Sequence, residues 1–487
     1  MSLTSALQIA QNSLLNVTRQ TSIVSRNVTD AGNEDYTRRQ GVVESSNIGS
    51  RVVVVRNGAD SQLTAASLEA LSEARAQGLI SDRLNNLSIT INGIDGSTSP
   101  SQGLTTLHNS LQAYSADPSN GLLAEAALQN AKDLVSSLNN ANGSIQTFRA
   151  SMDVELKNEV AKLNQLLADF HVVNSDVTSG TRAGKDVSDA LDQRDALLRQ
   201  ITEIVPVNVM TREGNDAVLV TKGGATLFET VPREVTFDPI SIYDASTSGN
   251  PIRIDGVPVL GGTGANTSAG GTLSAMIQLR DDSGATVQNQ LDEIARGLIT
   301  TFAETDASGG ALPPLAGLFT YSGAPAIPAA GVLQTGLAAD ISINAAYDPA
   351  QGGNINLLRD GGANGAGYNH NPTGAASYSD HLISLVQSMD GTTAFDGQSG
   401  IGGSMSLLAY ATQSIGWLDG QRSEATQAAA TKDALHIRLT EKISNQTGVN
   451  IDEEMALLLQ LEHSYEASAR VISTVDAMLA TLMSVVR

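Results

Sequence analysis

The sequence predicts a mainly α-helical, elongated multidomain protein with a β-rich insert: terminal coiled-coil helices, a helical bundle and a small β domain. Three observations carry this. Eleven of the 13 prolines lie between Pro206 and Pro372, and proline breaks helix interiors, so two proline-free ends flank a different middle. Apolar residues at both ends recur in alternating steps of four and three, the seam of a coiled coil. From Val205 the apolar period shortens to two, that of strands.

The N-terminal seam runs through Leu3, Leu7, Ala10, Leu14, Val17, Thr21, Val24 and Val28, and polar residues with Gly32 end the helix after Asn27. The C-terminal seam runs through Leu458, Leu461, Tyr465, Ser468, Ile472, Val475, Leu479, Leu482 and Val486. An apolar stripe reaching the chain end needs a cover. The seams could pair with each other, with neighbouring copies, or with both. Residues 1–58 carry six Arg against four acids and residues 441–487 seven acids against three basic residues, which favours mutual pairing weakly.

Between the ends, helical spacing marks Leu63–Ile94, Leu122–Leu138, Met152–Val177 and Val187–Ile204, the last closed by Pro206. Alternation from Val207 to Phe237 around Gly214-Asn215 and Gly223-Gly224 predicts hairpins, with further short strands between Ile240 and Leu260 and a Gly/Thr/Ser-rich link over 261–271. A helix resumes from Leu273 to Phe302. Residues 306–372 hold 12 Gly, 14 Ala and six Pro with five charged side chains, and predict a loop-rich excursion. Helices return from Tyr378 to Met389 and from Met405 onward. The domains expected are 1–40 with 450–487, a terminal coiled-coil assembly domain; 41–204 with 270–305 and 373–449, a helical bundle; 205–269, an outer β-rich domain; and the excursion 306–372.

The chain of 487 residues carries 51 acidic and 29 basic side chains, a net charge of −22, and no cysteine. Such acidity argues against nucleic acid, which is held by clustered Lys and Arg. Without cysteine there is no thiol catalysis, cysteine-held zinc or disulfide framework. No run of about 20 apolar residues predicts membrane insertion, and the first residues lack the basic and apolar regions of a cleaved signal peptide.

A catalytic reading finds no site. His108, His171, His370, His381, His436 and His463 are scattered, and the nucleophile-elbow, phosphate-loop and dinucleotide patterns are missing. The glycine-rich run Gly361–Gly367 lacks the helix start and lysine that a phosphate would want. Asp281-Asp282 and Asp452-Glu453-Glu454 read as acids at helix termini, and Arg194 as the partner of Asp195 or of acids one turn away. No catalytic residue, cofactor or metal is expected.

The ends carry a more specific signal. Asn27-Val28-Thr29-Asp30 followed by Tyr36-Thr37-Arg38-Arg39-Gln40, together with Gly448-Val449-Asn450-Ile451-Asp452 and Arg470 to Leu479, resembles the paired signature of the axial proteins of the bacterial flagellum. Asn33-Glu34-Asp35 stands where that signature often has Thr-Pro-Gly. Inside the chain, Ala190-Leu191-Asp192-Gln193-Arg194-Asp195 and Gly270-Gly271-Thr272-Leu273 resemble helices of one branch, the hook-associated protein 1 family of hook-filament junction proteins. The resemblance implies a non-enzymatic structural adaptor, exported unfolded through the flagellar type III apparatus without a cleaved signal peptide and located extracellularly at the hook-filament junction. The implied partners are the hook protein, the second junction protein, further copies in a ring, and an export chaperone at the C-terminal helix. The assembly interface expected is Leu3, Leu7, Leu14, Val17, Val24, Val28, Leu458, Leu461, Tyr465, Ile472, Val475, Leu479, Leu482 and Val486. Alternative readings are a hook or distal rod axial protein, and a carbohydrate-binding or enzymatic insert carried on a flagellar scaffold.

Overall fold

The computed structural model describes residues 3–46, 49–259 and 270–485. Val486 and most of the 261–271 link lie outside them. The chain begins with helix α1 (Leu3–Thr29), hairpin strands β1 (Arg39–Ser46) and β2 (Gly49–Arg56), and helices α2 (Ser61–Asn92), α3 (Pro100–Ala116), α4 (Gly121–Arg182) and α5 (Ser188–Ile204). Short strands follow: β3 (Val207–Thr211), β4 (Ala217–Thr221), β5 (Thr226–Glu229), β6 (Val231–Pro232), β7 (Val235–Thr236), β8 (Ile252–Ile254) and β9 (Val257–Val259). Then come α6 (Gly271–Gln278), α7 (Gly284–Thr301), β10 (Phe319–Thr320), α8 (Leu337–Asp340), β11 (Ser342–Ile343), α9 (Leu357–Asp360), α10 (Asp380–Asp390), β12 (Thr393–Phe395), β13 (Gly403–Met405), α11 (Leu407–Thr447) and α12 (Ile451–Val485). The protein is mainly helical with a few small sheets, as expected.

Two compact units share the chain: residues 1–74, 161–235 and 431–487 in one, 75–160 and 236–430 in the other. In the first, α1 runs antiparallel to α12, the β1–β2 hairpin lies on α1, and β3–β6 form a four-stranded sheet. The sheet packs on the end of α4 through Phe170 and Phe228, whose rings meet edge to face at 5.1 Å. Asn164 on α4 behaves as an extra strand residue, donating to the Val235 carbonyl at 2.8 Å and accepting from its N–H at 3.1 Å.

The second unit is built around the buried α6–α7 rod. Its two helices are joined by a π-helical turn at Leu279–Ser283, and Arg280 there is almost fully enclosed. Arg280 donates to Asp153 at 2.7 Å and to both oxygens of Asp281, at 2.9 and 2.7 Å. Asp281 and Asp282 are therefore inside a continuous rod, where one extra residue per turn exposes no free amide for an acid to cap. A Cβ on Gly249 would stand 2.1 Å from the Arg280 guanidinium carbon, so only glycine lets that backbone close over the cation.

Residues 306–372 contain no element longer than four residues, yet they hold buried Leu318, Phe319, Leu337, Tyr347, Leu358 and Tyr368. Buried carboxylates of α7 and its exit order this segment and the next by accepting backbone amides. Asp292 takes Gly336 and Ala338, each at 2.8 Å; Glu293 takes Asp396 at 3.0 Å; Glu304 takes Ala363 and Asn364, each at 2.8 Å. The glycine-rich run 361–367 does cradle an anion, and the anion is Glu304. Where ladders are missing, buried N–H groups must find such acceptors.

Other differences follow local chemistry. The two helices expected over 122–138 and 152–177 are one helix, α4, because the polar stretch between them contains no proline. Helix α3 starts where Ser99 accepts from the Gln102 N–H with Pro100 in the first turn, a start signal that apolar spacing alone does not show. The hairpin β1–β2 has no clean alternation, since Val52–Val55 is a continuous apolar run.

Glu293 and Arg296 form an ion pair with both side chains fully enclosed. Arg296→Ala strands a buried carboxylate and should cost about 3–5 kcal/mol in urea unfolding, whereas replacing both residues by Met should cost less, the remaining loss coming from the Asp396 N–H and the Ala394 carbonyl that lose their partners. Burial pushes the Asp292 carboxyl up to about 6, against 3.8 for a free one. A folded pKa above the unfolded one gives stability that is complete below about pH 4 and lost as pH rises through about 6. Asp292→Asn should flatten that slope in urea titrations run across the same window.

Candidate assembly site

Where α1 meets α12, Val17, Val24 and Leu461 close into a small buried cluster with Leu458 against it. Ser13 and Ser468 touch through their hydroxyls at 3.0 Å farther along. Of the other residues expected at the interface, Val475 is buried and Leu3, Leu7, Leu14, Val28, Ile472 and Leu479 are half-buried. Tyr465 is 46% exposed and Leu482 53%. Pairing with α1 thus leaves part of the C-terminal seam open.

The end of this helix pair is fixed by a buried polar hub. Asn27 is fully enclosed: its amide donates to Glu454 at 2.9 Å and to the Arg39 carbonyl at 2.8 Å. Its oxygen accepts from the Tyr36 hydroxyl at 2.8 Å and the Arg39 N–H at 3.2 Å. Glu454, 1% exposed, takes Arg38 Nε on its other oxygen at 2.7 Å. The Arg38 N–H donates to the Thr447 carbonyl at 2.7 Å, tying the same loop to the end of α11. A Cβ on Gly448 would lie 2.5 Å from the Ser444 carbonyl oxygen, so glycine permits the break between α11 and α12.

Helix α5 closes the other side. Arg39 pairs with Asp189 and with Asp192, the latter at 3.1 Å; Arg56 of β2 reaches Asp192 at 2.8 Å and Asp195 at 2.6 Å. Arg26 of α1 adds a 2.6 Å bond to Asp189. Burial would raise the Asp189 carboxyl, but the hydrogen bonds of Arg26 and Arg39 more than offset this and hold it below the usual carboxylate range. Burial lifts the Tyr36 phenol above its ordinary value, even with the Arg39 guanidinium 4.7 Å from the ring centre.

One sequence expectation is corrected here, and a second holds for position but not for capping, since Asp452, Glu453 and Glu454 do lie in the first turn of α12. Arg194 bonds the Asn174 oxygen at 3.0 Å and the Asn215 carbonyl at 2.5 Å, anchoring α5 to the β3–β4 turn, while Asp195 takes Arg56. At the start of α12, the capping group is Asn450, which accepts from the Asp452 and Glu453 N–H groups at 3.0 and 3.4 Å. Glu454 is turned inward as the hub's acid. Asn27, Tyr36, Arg38 and Arg39 were visible as a motif, but their role depends on Glu454, 427 positions from Asn27.

Among the described residues no group of three or more His, Asp or Glu side chains is placed to hold a metal ion, and no helix is long and apolar enough to cross a membrane. Breaking the hub should cost more than a surface change. Glu454→Ala leaves Arg38 and Asn27 without their buried acceptor and should lower urea stability of this unit by about 2–4 kcal/mol. Glu454→Asp and an exposed control, Glu453→Ala, should lose progressively less.

Comparison with known proteins adds a consistent set of matches. The sequence model of the flagellar hook-associated protein FlgK helical domain matches residues 85–317, and that of the flagellar basal body rod FlgEFG protein C-terminal segment matches 442–485. Flagellar hook-associated protein 1 of Bacillus subtilis (strain 168) is 20% identical over 407 residues, 77% of this chain and 74% of that protein. The protein of the same name from Salmonella typhimurium is 25% identical over 218 residues, 42% of this chain and 39% of that one. In structure, the flagellar hook junction protein FlgK from Burkholderia pseudomallei aligns with a TM-score of 0.54 at 13% identity, over 79% of this chain and 99% of that one. At such identity the structural likeness speaks to fold.

Proposed function

We propose that the chain is a flagellar hook-associated structural protein of the FlgK family and that it joins hook to filament as a ring of copies built through α1 and α12. The observation that carries this reading is the surplus of apolar surface on α12. Beyond the residues α1 covers, Met455, Leu459, Val471, Met478 and Leu482 are each between 45% and 55% exposed. A helix apolar on more than one side wants more than one neighbour. Further copies supply such neighbours, with residues 1–40 and 450–487 as the assembly domain and the segments between them as supporting bundle and outer surface.

The family role places the protein in the extracellular flagellum. Export through the type III apparatus fits a chain whose ends meet only on folding, and the open C-terminal stripe is the surface an export chaperone would shield. Hook protein and the second junction protein are the neighbours this position implies. The alternative of a hook or rod protein draws on the match at 442–485, but the match at 85–317 is to a hook-associated helical domain. A structural role needs no catalytic centre.

Cells lacking the chain should bear hooks without filaments in electron micrographs; normal filaments would overturn the proposal. Residues 458–487 should be dispensable for folding of the 75–160 and 236–430 unit but required for attachment. Met478→Asp with Leu482→Asp is the milder probe. Both side chains are exposed, so monomer stability should change by about 0.5 kcal/mol or less, while incorporation into sheared flagella should fall at least about tenfold, a loss of about 1.4 kcal/mol of assembly energy.

A further inference from the structure

Two of the six histidines are stacked inside the second unit, in a role that hook-to-filament joining does not use. His370, in the segment between α9 and α10, lies against His381 of α10 with ring centres 4.5 Å apart and planes 10° from parallel. His381 is 8% exposed, and the Nε2 of His370 is buried without a hydrogen-bond partner. Two neutral imidazoles stack well there. A proton on His381 would put a cation against the His370 ring in a buried site, where an unpaired charge is costly.

The carboxylates that could offset such a charge are already committed. Glu304 accepts from Tyr347, Ala363 and Asn364. Asp360 accepts from Arg359 at 2.7 and 2.9 Å and from Asn371 at 2.7 Å. Of the remaining titratable groups on the elements packed around α10, His108 of α3 pairs with Asp390 at 3.2 Å, Asp292 of α7 accepts the Gly336 and Ala338 amides, and Glu293 of α7 holds Arg296 and the Asp396 amide; Tyr114 of α3, Tyr378 and Asp380 complete the set. The two sides are held differently. Helix α10 packs on α3, with Leu382, Leu385 and Met389 of α10 and Leu104, Leu107 and Leu111 of α3 all buried. Residues 361–374 have no regular element longer than three residues and rely on side-chain braces.

We propose that the His370–His381 stack is an acid-released latch, which fastens residues 361–374 to α10 while His381 is neutral and frees them when His381 is protonated. Burial, and then the neighbouring His370, lowers His381 to about 4 from 6.5. A depressed histidine contributes stability that is present above about 6.5 and is lost as pH falls toward about 4. The linked increase in opening between about pH 7 and about pH 4.5 is of order 50-fold.

The full chain can be followed by amide hydrogen exchange at those two pH values, with intrinsic rates corrected. Protection of 361–374 should fall by that order at the lower pH while α3 keeps its protection. His381→Phe, which keeps a flat ring but cannot take a proton, should keep 361–374 protected at both. Equal protection at both pH values in the unaltered chain overturns the latch, as does an undiminished acid response in His381→Phe. If that variant does not fold, titration of the ring protons by NMR in the unaltered chain decides. His381 titrating near 6.5 overturns the proposal, and a strongly lowered value accompanied by loss of 361–374 protection supports it.

Discussion

The structure of the first unit depends on one buried contact, the hydrogen bond between Asn27 and Glu454. It joins residues 427 positions apart, so closing it costs chain entropy that grows only slowly with loop length and is met by the elements folded in between. Neither partner is comfortable alone. A carboxylate that is 1% exposed needs a cation and donors, which Arg38 and Asn27 provide. An enclosed asparagine needs its amide and its oxygen both satisfied, and Glu454, Arg39 and Tyr36 do so. The apolar cluster of Val17, Val24 and Leu461 supplies attraction without register, since a coiled-coil seam can slide by a heptad. The polar hub admits a single register, as a buried asparagine does in coiled coils.

How much of this was legible follows from the range of each interaction. Helices α1, α2, α5 and α12 were readable because their apolar stripes are local and periodic. The pairing of α1 with α12 could be suspected from matching seams at opposite ends, and the signature around Asn27 and Tyr36 could be recognised as a motif. What could not be read was direction. Glu454 sits among three acids at a helix start, where capping is the cheaper expectation, and only the approach of Arg38 and Asn27 turns it inward. Arg194 likewise looks like the partner of the neighbouring Asp195 until Asn174 and the β3–β4 turn arrive from elsewhere in the sequence. The hairpin β1–β2 escaped because its strands show no alternation.

The glycine- and alanine-rich region from 306 to 372 shows a second way of making a compact fold. Its composition denies it long helices or ladders, so its amides would be unsatisfied on burial. The acids of α7 resolve this from outside the segment. Asp292, Glu293 and Glu304 lie on or just beyond one helix and accept amides from three stretches of chain. Composition therefore foretold the irregular backbone but not its order, because the acceptors belong to a different element.

Both units thus place buried or half-buried side chains where backbone pairing runs out. Asn27, Asn164 and Glu304 each bond main-chain groups of a distant segment, and Arg149 does the same by donating to the carbonyls of Asp244, Thr247 and Arg280. Such bonds differ from hydrophobic contacts in one respect that bears on assembly. Apolar surface accepts many partners, and α12 keeps a surplus of it exposed. A buried polar hub accepts one. In the ring proposed above, packing between copies would be broad and tolerant in sequence, while the internal hub would set which face of each copy is presented.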